Sequence, residues 1–495
     1  MLKLKKLLSI LLSLMLIMFI FAACARATTK DQTPQPDDQK DVSQETPSGE
    51  DKDQAGQTKE LPPMTTEKIT LTYASWENHE LNKYLAQKFM EKYPNITVEL
   101  IQMDLGTWND GLINLASAGK LPDVFWYLHN CDLGIRNGWF GDMTEYFEND
   151  PETEKILDTL RIQGYFDGKT KMAAPAKYLP FTVFLDKNVF RKLNVPMPSP
   201  DWTYDEMIEL MERMTVPEQG IFGYNTFTKL VTIAPIVNLD AIGEFGWDGE
   251  KYDMTTEWAK ALNQHADFVR RGVHAPPFGS DEAERAFGDR NLWAAATGKV
   301  AMQLDAWWTL SLFAQPEFVD KGIEWVPYPV PRGANAKTLR KPAFVDFGAI
   351  SSSTKYPREA YELLKFMGWG KEGWLHKLDA YANLTYEDGT KVFTYPDNLP
   401  IIDDPEIWQG LRQLLPPIPE IDAFLERAKE PVPLGGASHP GFAIFLEEVY
   451  FNGPWGNVEE AVIRGEIDAF DVAQELTDKL NQIRQETMEE LFGNK

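Results

Sequence analysis

The stretch EKITLTYASWENHELNKYLAQKFMEKYPNITVELI, residues 67–101, decides the fold class because its hydrophobic period changes twice. Ile69–Tyr73 alternates between apolar and polar residues as a half-buried strand does, and apolar residues recur at helical spacing from Leu81 onward. Pro94 ends the helix, and the alternation then returns. This order of strand, helix and strand predicts an α/β fold in which ligands bind at the carboxyl ends of the strands.

Length, charge and composition limit the domain count and the partners. The chain has 495 residues, which predicts two or more domains because single cores rarely exceed about 300 residues. Its formal net charge of −26 argues against binding of nucleic acid and against adhesion to anionic lipid. Six histidines lie apart without ligand spacing, and no metalloprotease, EF-hand or paired-cysteine motif occurs. We therefore expect no metal site, no cofactor and no catalytic residue.

The first residues have the pattern of an export signal. Lysines precede an uncharged apolar run from Leu7 to Ala23, and the small residues at its end are typical of a signal peptide. The tetrad Phe21–Cys24 resembles a bacterial lipobox, which implies removal of residues 1–23 and acylation of Cys24. The protein would then be anchored through lipid at the extracytoplasmic face of the cell membrane. An ordinary signal peptide and an uncleaved anchor helix are the alternatives.

A polar segment follows the predicted lipid site. Residues 24–66 are rich in acidic residues, Gln, Pro, Ser and Thr, and they contain little that a core could bury. This composition predicts that the lipidated cysteine is followed by a disordered acidic tether. Cys131, the only other cysteine, is then expected to be a buried free thiol.

Five segments along the body carry a resemblance to one family. They are KFMEKYPNITVEL at 88–100, SAGKLPDVF at 117–125, DGKTKM through YDEM at 167–207, ATGKVAMQLDAWW at 296–308 and FGAISSSTKYPREAYELLKFM at 347–367. In this order they resemble the extracellular solute-binding proteins of ABC transporters, the family that includes maltodextrin and other oligosaccharide receptors. The resemblance covers most of the folded body.

The resemblance implies a two-lobed α/β fold of the periplasmic-binding-protein type. Each lobe would be a β-sheet flanked by helices, and a hinge would join the lobes. The chain would cross this hinge about three times, near Lys177–Phe181, after Asp305 and near Ser351. The predicted divisions are the signal peptide 1–23, the tether 24–66, lobe one at 67–178 and 308–350, and lobe two at 179–307 and 351–495.

Three loops combine aromatic rings with polar side chains. A sugar needs this mixture, because its C–H face stacks on flat rings and its hydroxyl rim needs hydrogen-bond partners. The loops follow the opening strand, the PDVF segment at 122–125 and the GKVAMQL segment at 298–304. With three further positions, the candidate ligand-binding residues are Trp76, Glu77, Trp126, Tyr127, His129, Asn130, Tyr178, Trp247, Asp305, Trp307, Trp308 and Asp346.

For several of these positions, packing in the core is the alternative to contact with a ligand. Packing in the core is the alternative for Trp76, and one of Trp307 and Trp308 is expected to be core, with Trp307 as the exposed ring. The resemblance implies a ligand-contacting aromatic residue at Tyr127 and an acid at Asn130. Because Asn130 carries an amide instead, the particular sugar is in doubt.

The function that the resemblance implies is a monomeric receptor without catalytic activity. It would close its lobes around a carbohydrate, with an oligosaccharide as the expected ligand, and deliver it to an ABC permease. Two rivals from other classes stay open, a surface glycosidase or lyase and a sugar sensor for a histidine kinase. A non-sugar solute such as a peptide is a third alternative.

Overall fold

Nine strands form one mixed sheet within residues 61–493, the part of the chain that this computed structural model describes. They are β1 (Ile69–Ala74), β2 (Ile96–Ile101), β3 (Val124–Tyr127), β4 (Ala174–Asp186), β5 (Phe222–Thr226), β6 (Val300–Ala306), β7 (Trp325–Pro329), β8 (Lys341–Ile350) and β9 (Pro431–Pro433). The main order is β2-β1-β3-β8-β4-β6-β5, while β7 pairs with β4 and β9 pairs with β8.

Helices make up most of the remaining regular structure. The first ten are α1 (His79–Lys92), α2 (Trp108–Ser117), α3 (Cys131–Arg136), α4 (Thr144–Asn149), α5 (Asp158–Arg161), α6 (Lys187–Leu193), α7 (Tyr204–Arg213), α8 (Leu230–Asn238), α9 (Glu257–Arg271) and α10 (Asp281–Phe287). The others are α11 (Thr309–Phe313), α12 (Pro316–Val319), α13 (Pro357–Met367), α14 (Lys371–Asn383), α15 (Pro405–Gln413), α16 (Pro419–Glu426), α17 (Phe442–Phe445), α18 (Val458–Ile463) and α19 (Ala469–Phe492).

The strand–helix–strand unit predicted for residues 67–101 is confirmed, and with it the α/β class. β1 and β2 pair in parallel with Ile69 opposite Ile96. Asn78 caps α1, because its side chain accepts hydrogen bonds from the first free backbone N–H groups of the helix. Leu81 and Phe89 lie on the buried face of α1, which therefore covers the sheet with its apolar side.

Strand β4 connects the two halves of the sheet. All 13 of its residues are buried. Residues 174–180 pair with β8, whereas residues 181–185 pair with β6, and both pairings are antiparallel. The change of partner at Pro180–Phe181 lies within the first predicted hinge crossing. That these residues act as a hinge stays a prediction.

Two hydrophobic cores lie along the sheet. The first includes Leu71 and Phe125, and the second includes Val183 and Met302. Helix α13 packs on β3 and β8, and α14 packs on α1, so residues 357–383 belong with the first core. The division into lobes stays a prediction, and this packing favours placing residues 357–383 in lobe one rather than in lobe two.

The folded body begins a few residues before the predicted position. The backbone carbonyl of Pro62 accepts a hydrogen bond from Arg358, and the backbone N–H of Thr65 donates to Glu359. The predicted signal peptide, Cys24 and the tether as far as residue 60 lie outside the described residues. Among residues 61–493, no helix has the length and apolar character needed to cross a membrane.

Candidate ligand-binding site

Five aromatic side chains form a continuous group at one edge of the sheet, which we call the aromatic strip. Phe344 on β8 lies at its centre. The ring centroids of Phe181, Trp308, Phe227 and His129 lie 5.0, 5.1, 6.2 and 6.5 Å from that of Phe344. Trp308 and Phe227 also contact each other edge to face at 5.7 Å. Such spacings are those of favourable aromatic pairs.

The strand order explains why these rings meet. β5 and β6 pair in parallel, so the residues that follow them, Phe227 and Trp308, lie at the same edge of the sheet. His129 follows β3, the neighbour of β8 on its other side. Trp308, Phe227 and Phe344 are half-buried and His129 is exposed, so the strip keeps aromatic surface in contact with solvent.

His129 holds an unusual backbone conformation. Its φ is 44°, in the left-handed region that residues other than glycine seldom adopt. Gly436 lies against it, and a Cβ added to that glycine would stand 2.6 Å from the carbonyl oxygen of His129. The close approach of this glycine therefore helps to hold the imidazole at the edge of the strip.

A chain of buried polar side chains lies at the carboxyl ends of β5 and β6. Asn225 donates to Gln303 at 2.7 Å, and Gln303 donates to Asp305 at 3.0 Å. The backbone N–H of Ala306 donates to the same carboxylate at 2.8 Å. Burial raises the pKa of Asp305 to about 6, and its hydrogen bonds oppose this shift. Asp305 therefore has partners within the chain.

Two hydrogen-bond donors, one in the strip and one next to it, have no hydrogen-bond partner among the described residues. They are the indole Nε1 of Trp308 and the hydroxyl of Thr228, the residue after Phe227. Both atoms are shielded by surrounding atoms, and an unsatisfied polar group in such a place is costly. Because neither atom contacts solvent in this conformation, a hydroxyl-rich ligand would reach both donors only after the surrounding groups move apart.

A second aromatic group, the tryptophan cluster, consists of Trp76 in the loop after β1, Trp108 at the start of α2 and Trp126 within β3. Trp76 packs edge to face on Trp108 and on Trp126, with each pair of centroids 5.1 Å apart. Its Nε1 donates to Asp346 at 3.2 Å. Trp76 is half-buried, whereas the other two rings are each 1% exposed. Only the outer ring of this cluster therefore has a surface for a ligand.

Charged side chains lie next to the tryptophan cluster. Lys177 contacts Glu77 at 2.7 Å and Asp397 at 2.9 Å. Burial alone would lower the pKa of Lys177, but the two carboxylates raise it above the usual value for a lysine. Burial also raises the pKa of Asp346 to about 7, although nearby Lys177 opposes this shift. The group links β4 and β8 to the loop after β1.

Several predicted site residues lie in the core instead. Our expectation that Trp307 is the exposed ring is wrong, because Trp307 is 0% exposed and donates to the carbonyl of Pro396, whereas Trp308 is half-buried. Tyr127 and Tyr178 are also buried, and their hydroxyls donate to the carbonyls of Ala437 and Ala428.

Two other predicted positions have structural contacts away from the strip. The side chain of Asn130 caps α3 by accepting from the backbone N–H of Leu133 at 3.1 Å. Trp247 is 5% exposed and packs on Tyr252 and His439. Neither residue shares a contact with the aromatic strip among the described interactions.

Sequence reasoning missed Phe227 and Phe344 as site residues, and it placed Phe181 only at a hinge crossing. Phe344 alternates with Asp346, already a candidate, along a strand, so both side chains project from the same face of β8. Phe227 follows GYNT, a strand with a polar end, in the same way that Trp308 follows β6. The pairing of β5 with β6 was the information needed to connect them.

Cys131 is a buried free thiol, as predicted. Within residues 61–493, no group of three or more His, Cys, Asp or Glu side chains has an arrangement that could hold a metal ion. The carboxylates of Glu77 and Asp397 form ion pairs with Lys177.

Three solved structures illustrate the likeness of the fold. An ABC substrate-binding protein from Listeria monocytogenes in complex with cycloalternan has a TM-score of 0.61 at 18% identity, over 84% of this chain and 99% of its own. A sugar transporter from Rhizobium etli in an open conformation has a TM-score of 0.63 at 16% identity, over 83% and 98%. The sugar-binding protein MalE from Xanthomonas citri has a TM-score of 0.61 at 15% identity, over 84% and 98%.

Sequence comparison identifies the family. No curated protein sequence matches this chain. The family model described as bacterial extracellular solute-binding protein matches residues 76–368, which is more than half of the chain. The matched region contains the whole of the aromatic strip and the whole of β4. The chain therefore belongs to the bacterial extracellular solute-binding protein family.

Proposed function

We propose that this protein is a lipid-anchored receptor that captures a carbohydrate and delivers it to an ABC import permease. The observation that carries the proposal is the aromatic strip with unpartnered donors beside it. Half-buried rings offer flat apolar surface to the C–H face of a sugar, and the indole N–H and the hydroxyl would bond to its rim once movement of the lobes uncovers them.

Related structures support a carbohydrate rather than another solute. The similar protein from Listeria monocytogenes binds cycloalternan, and a cyclo/maltodextrin-binding protein of similar fold binds maltotetraose. Both relatives are below 20% identity, so the length and linkage of the sugar must be found by experiment. An oligosaccharide fits a strip of several rings better than a single sugar does.

Capture would proceed by closure of two lobes about a hinge. His129 belongs to the loop after β3, beside the first core, and Trp308 and Phe227 follow strands of the second core. A ligand on the strip would contact both sides only when they approach each other, so its binding would shift the population toward the closed state.

Anchoring and delivery follow from the predicted signal. A lipid on Cys24 and the tether to the folded body would keep the receptor near the permease subunits. The closed monomer would present both lobes to the permease. This chain would perform no catalysis.

A carbohydrate screen of residues 62–495, by thermal unfolding and tryptophan fluorescence, tests the proposal. We expect at least one linear or cyclic oligosaccharide to raise the midpoint of unfolding in proportion to the logarithm of its concentration. Trp308→Ala should lose this response. Cleavage of a polysaccharide without a stabilising response to any sugar would favour a surface enzyme, and dependence of a histidine kinase on the protein would favour a sensor.

A further inference from the structure

Lys341, the first residue of β8, is a buried lysine whose charge lacks a counter-ion. The residue is 4% exposed, and its Nζ donates to the backbone carbonyl of Pro331 at 3.2 Å. No carboxylate of the described residues lies within 4 Å of this ammonium group, although Glu430 and Asp201 are near enough to influence it. A buried charge without a close partner is unusual in a folded protein.

Two arginines lie near Lys341 and share one acidic residue. Arg332 and Arg427 contact the same oxygen of Asp201 at 3.3 and 3.5 Å. The Asp201 side chain is 54% exposed, so these are long contacts to a solvated carboxylate. Arg427 also contacts the exposed carboxylate of Glu426 at 3.5 Å. The local group therefore combines three cations with carboxylates that are largely exposed to solvent, in a chain whose net charge is −26.

These cations line two adjoining depressions in the surface. Both depressions are shallow and open to solvent; Lys341, Arg427 and Val330 line both of them, and Arg332 lines the second. Phe424 contributes apolar wall to the first and Trp202 to the second. Charged donors thus face a concave surface with apolar sides.

We propose that the depressions around Lys341, Arg332 and Arg427 form a second binding site for a small oxyanion, which borders the aromatic strip only at the buried ring of Phe181. The planar guanidinium groups suit the paired oxygens of a carboxylate, sulfate or phosphate, and the ammonium group supplies a further charged donor. The oxyanion would supply the nearby negative charge that Lys341 lacks, and it would replace Asp201 as the shared partner of the arginines.

Calorimetric titration of the full chain with sodium sulfate, sodium phosphate and sodium acetate tests this site at constant ionic strength and pH 7. We expect saturable binding of at least one anion. Acetate binding alone would identify a carboxylate site, whereas sulfate or phosphate binding alone would identify a site for a tetrahedral anion.

Variants separate the site from the general effects of salt. Lys341→Met and Arg427→Gln should each weaken binding by ~10-fold or more, because each removes a charged hydrogen-bond donor. Asp201→Asn should tighten binding, since it removes the competing carboxylate. Lys120→Met, at an exposed lysine outside the depressions, should leave affinity unchanged.

The pH dependence gives a check that needs no variant. Burial, with Arg427 nearby, lowers the pKa of Lys341 to about 8. Affinity should therefore fall as the pH rises from 7 to 9.5, while Arg332 and Arg427 stay charged. Absence of saturable binding in the wild-type chain overturns the proposal. Equal affinity of wild type and Arg427→Gln, or affinity that is constant up to pH 9.5, overturns it as well.

Discussion

The aromatic strip and the tryptophan cluster contain the same kinds of side chain but differ in whether the indole N–H of their half-buried tryptophan has a partner. The indole of Trp126 in the cluster also lacks a partner, but its ring is only 1% exposed. In the strip, half-buried Trp308 and Phe227 lie beside donors without partners. In the cluster, Trp76 packs on two buried rings and its indole N–H donates to Asp346. The comparison teaches that an abundance of tryptophan does not mark a site, whereas exposed ring faces with unsatisfied donors do.

The largest expected effect comes from the charged group under the tryptophan cluster. Lys177→Met leaves Glu77 and Asp397 without their cation, and breaking such a pair should lower the free energy of unfolding by about 3–5 kcal/mol. Lys83→Met removes an exposed pair with Glu80 and should cost less than about 1 kcal/mol. Urea unfolding measures both. Equal, small losses would show that ion pairing does not stabilise this region.

The two adjacent tryptophans should behave in opposite ways. Trp307→Ala removes a fully buried ring and should lower the free energy of unfolding by about 3–5 kcal/mol. Trp308→Ala should destabilise less, but it should weaken carbohydrate binding by ~10-fold or more, as loss of a central aromatic contact does. Denaturation together with calorimetric titration separates the two outcomes. Loss of affinity from Trp307→Ala alone, in a folded protein, would reverse the assignment.

Asp346 should make stability depend on pH. Burial raises its pKa from 3.8 to about 7, so between these values the folded chain binds a proton that the unfolded chain does not. The stabilisation is complete below pH 4 and is lost as the pH rises through 7.

Asp346→Asn removes that titration and keeps an acceptor for Trp76. At pH 8 the variant should be more stable than the wild type by up to about 4 kcal/mol, whereas at pH 3.5 the two should be nearly equal. Thermal unfolding at both pH values provides the measurement. A wild type that is more stable than the variant at pH 8 would mean that the ionised carboxylate is favoured in the fold.

The smallest expected effect comes from Gly436, which packs against the backbone of His129 at the edge of the strip. Gly436→Ala brings a methyl group against the carbonyl oxygen of His129 and should cost about 1–3 kcal/mol of unfolding free energy. Gly111→Ala, in helix α2, meets only the flexible side chain of Met103 and serves as the matched control. Weaker ligand binding is expected for Gly436→Ala. Unchanged binding by a folded Gly436→Ala protein would remove His129 from the site.

The sequence was sufficient for local structure and for the family. Alternation from Ile69 and helical spacing from Leu81 predicted β1 and α1, because side-chain periodicity depends only on the backbone. The ordered segments pointed to the family that the match over residues 76–368 identifies.

The pairing of the strands determines which aromatic residues are buried and which lie at the candidate site, and the sequence did not predict this. Neighbouring residues Trp307 and Trp308 look equivalent in sequence, yet the end of β6 directs one ring into the first core and the other toward Phe344. Tyr127 looked like a ligand contact, but its hydroxyl meets the backbone of Ala437, which is distant in sequence. Such contacts depend on strand order, which periodicity does not reveal.

Fluorine NMR of protein labelled with 5-fluorotryptophan tests the central claim most directly. The resonances of Trp307 and Trp308 are assigned by single substitution and followed during titration with maltotetraose and with cycloalternan. If the aromatic strip receives the sugar, the Trp308 signal shifts saturably while that of Trp307 stays in place. Saturable sugar binding that leaves the Trp308 signal unmoved would contradict the account.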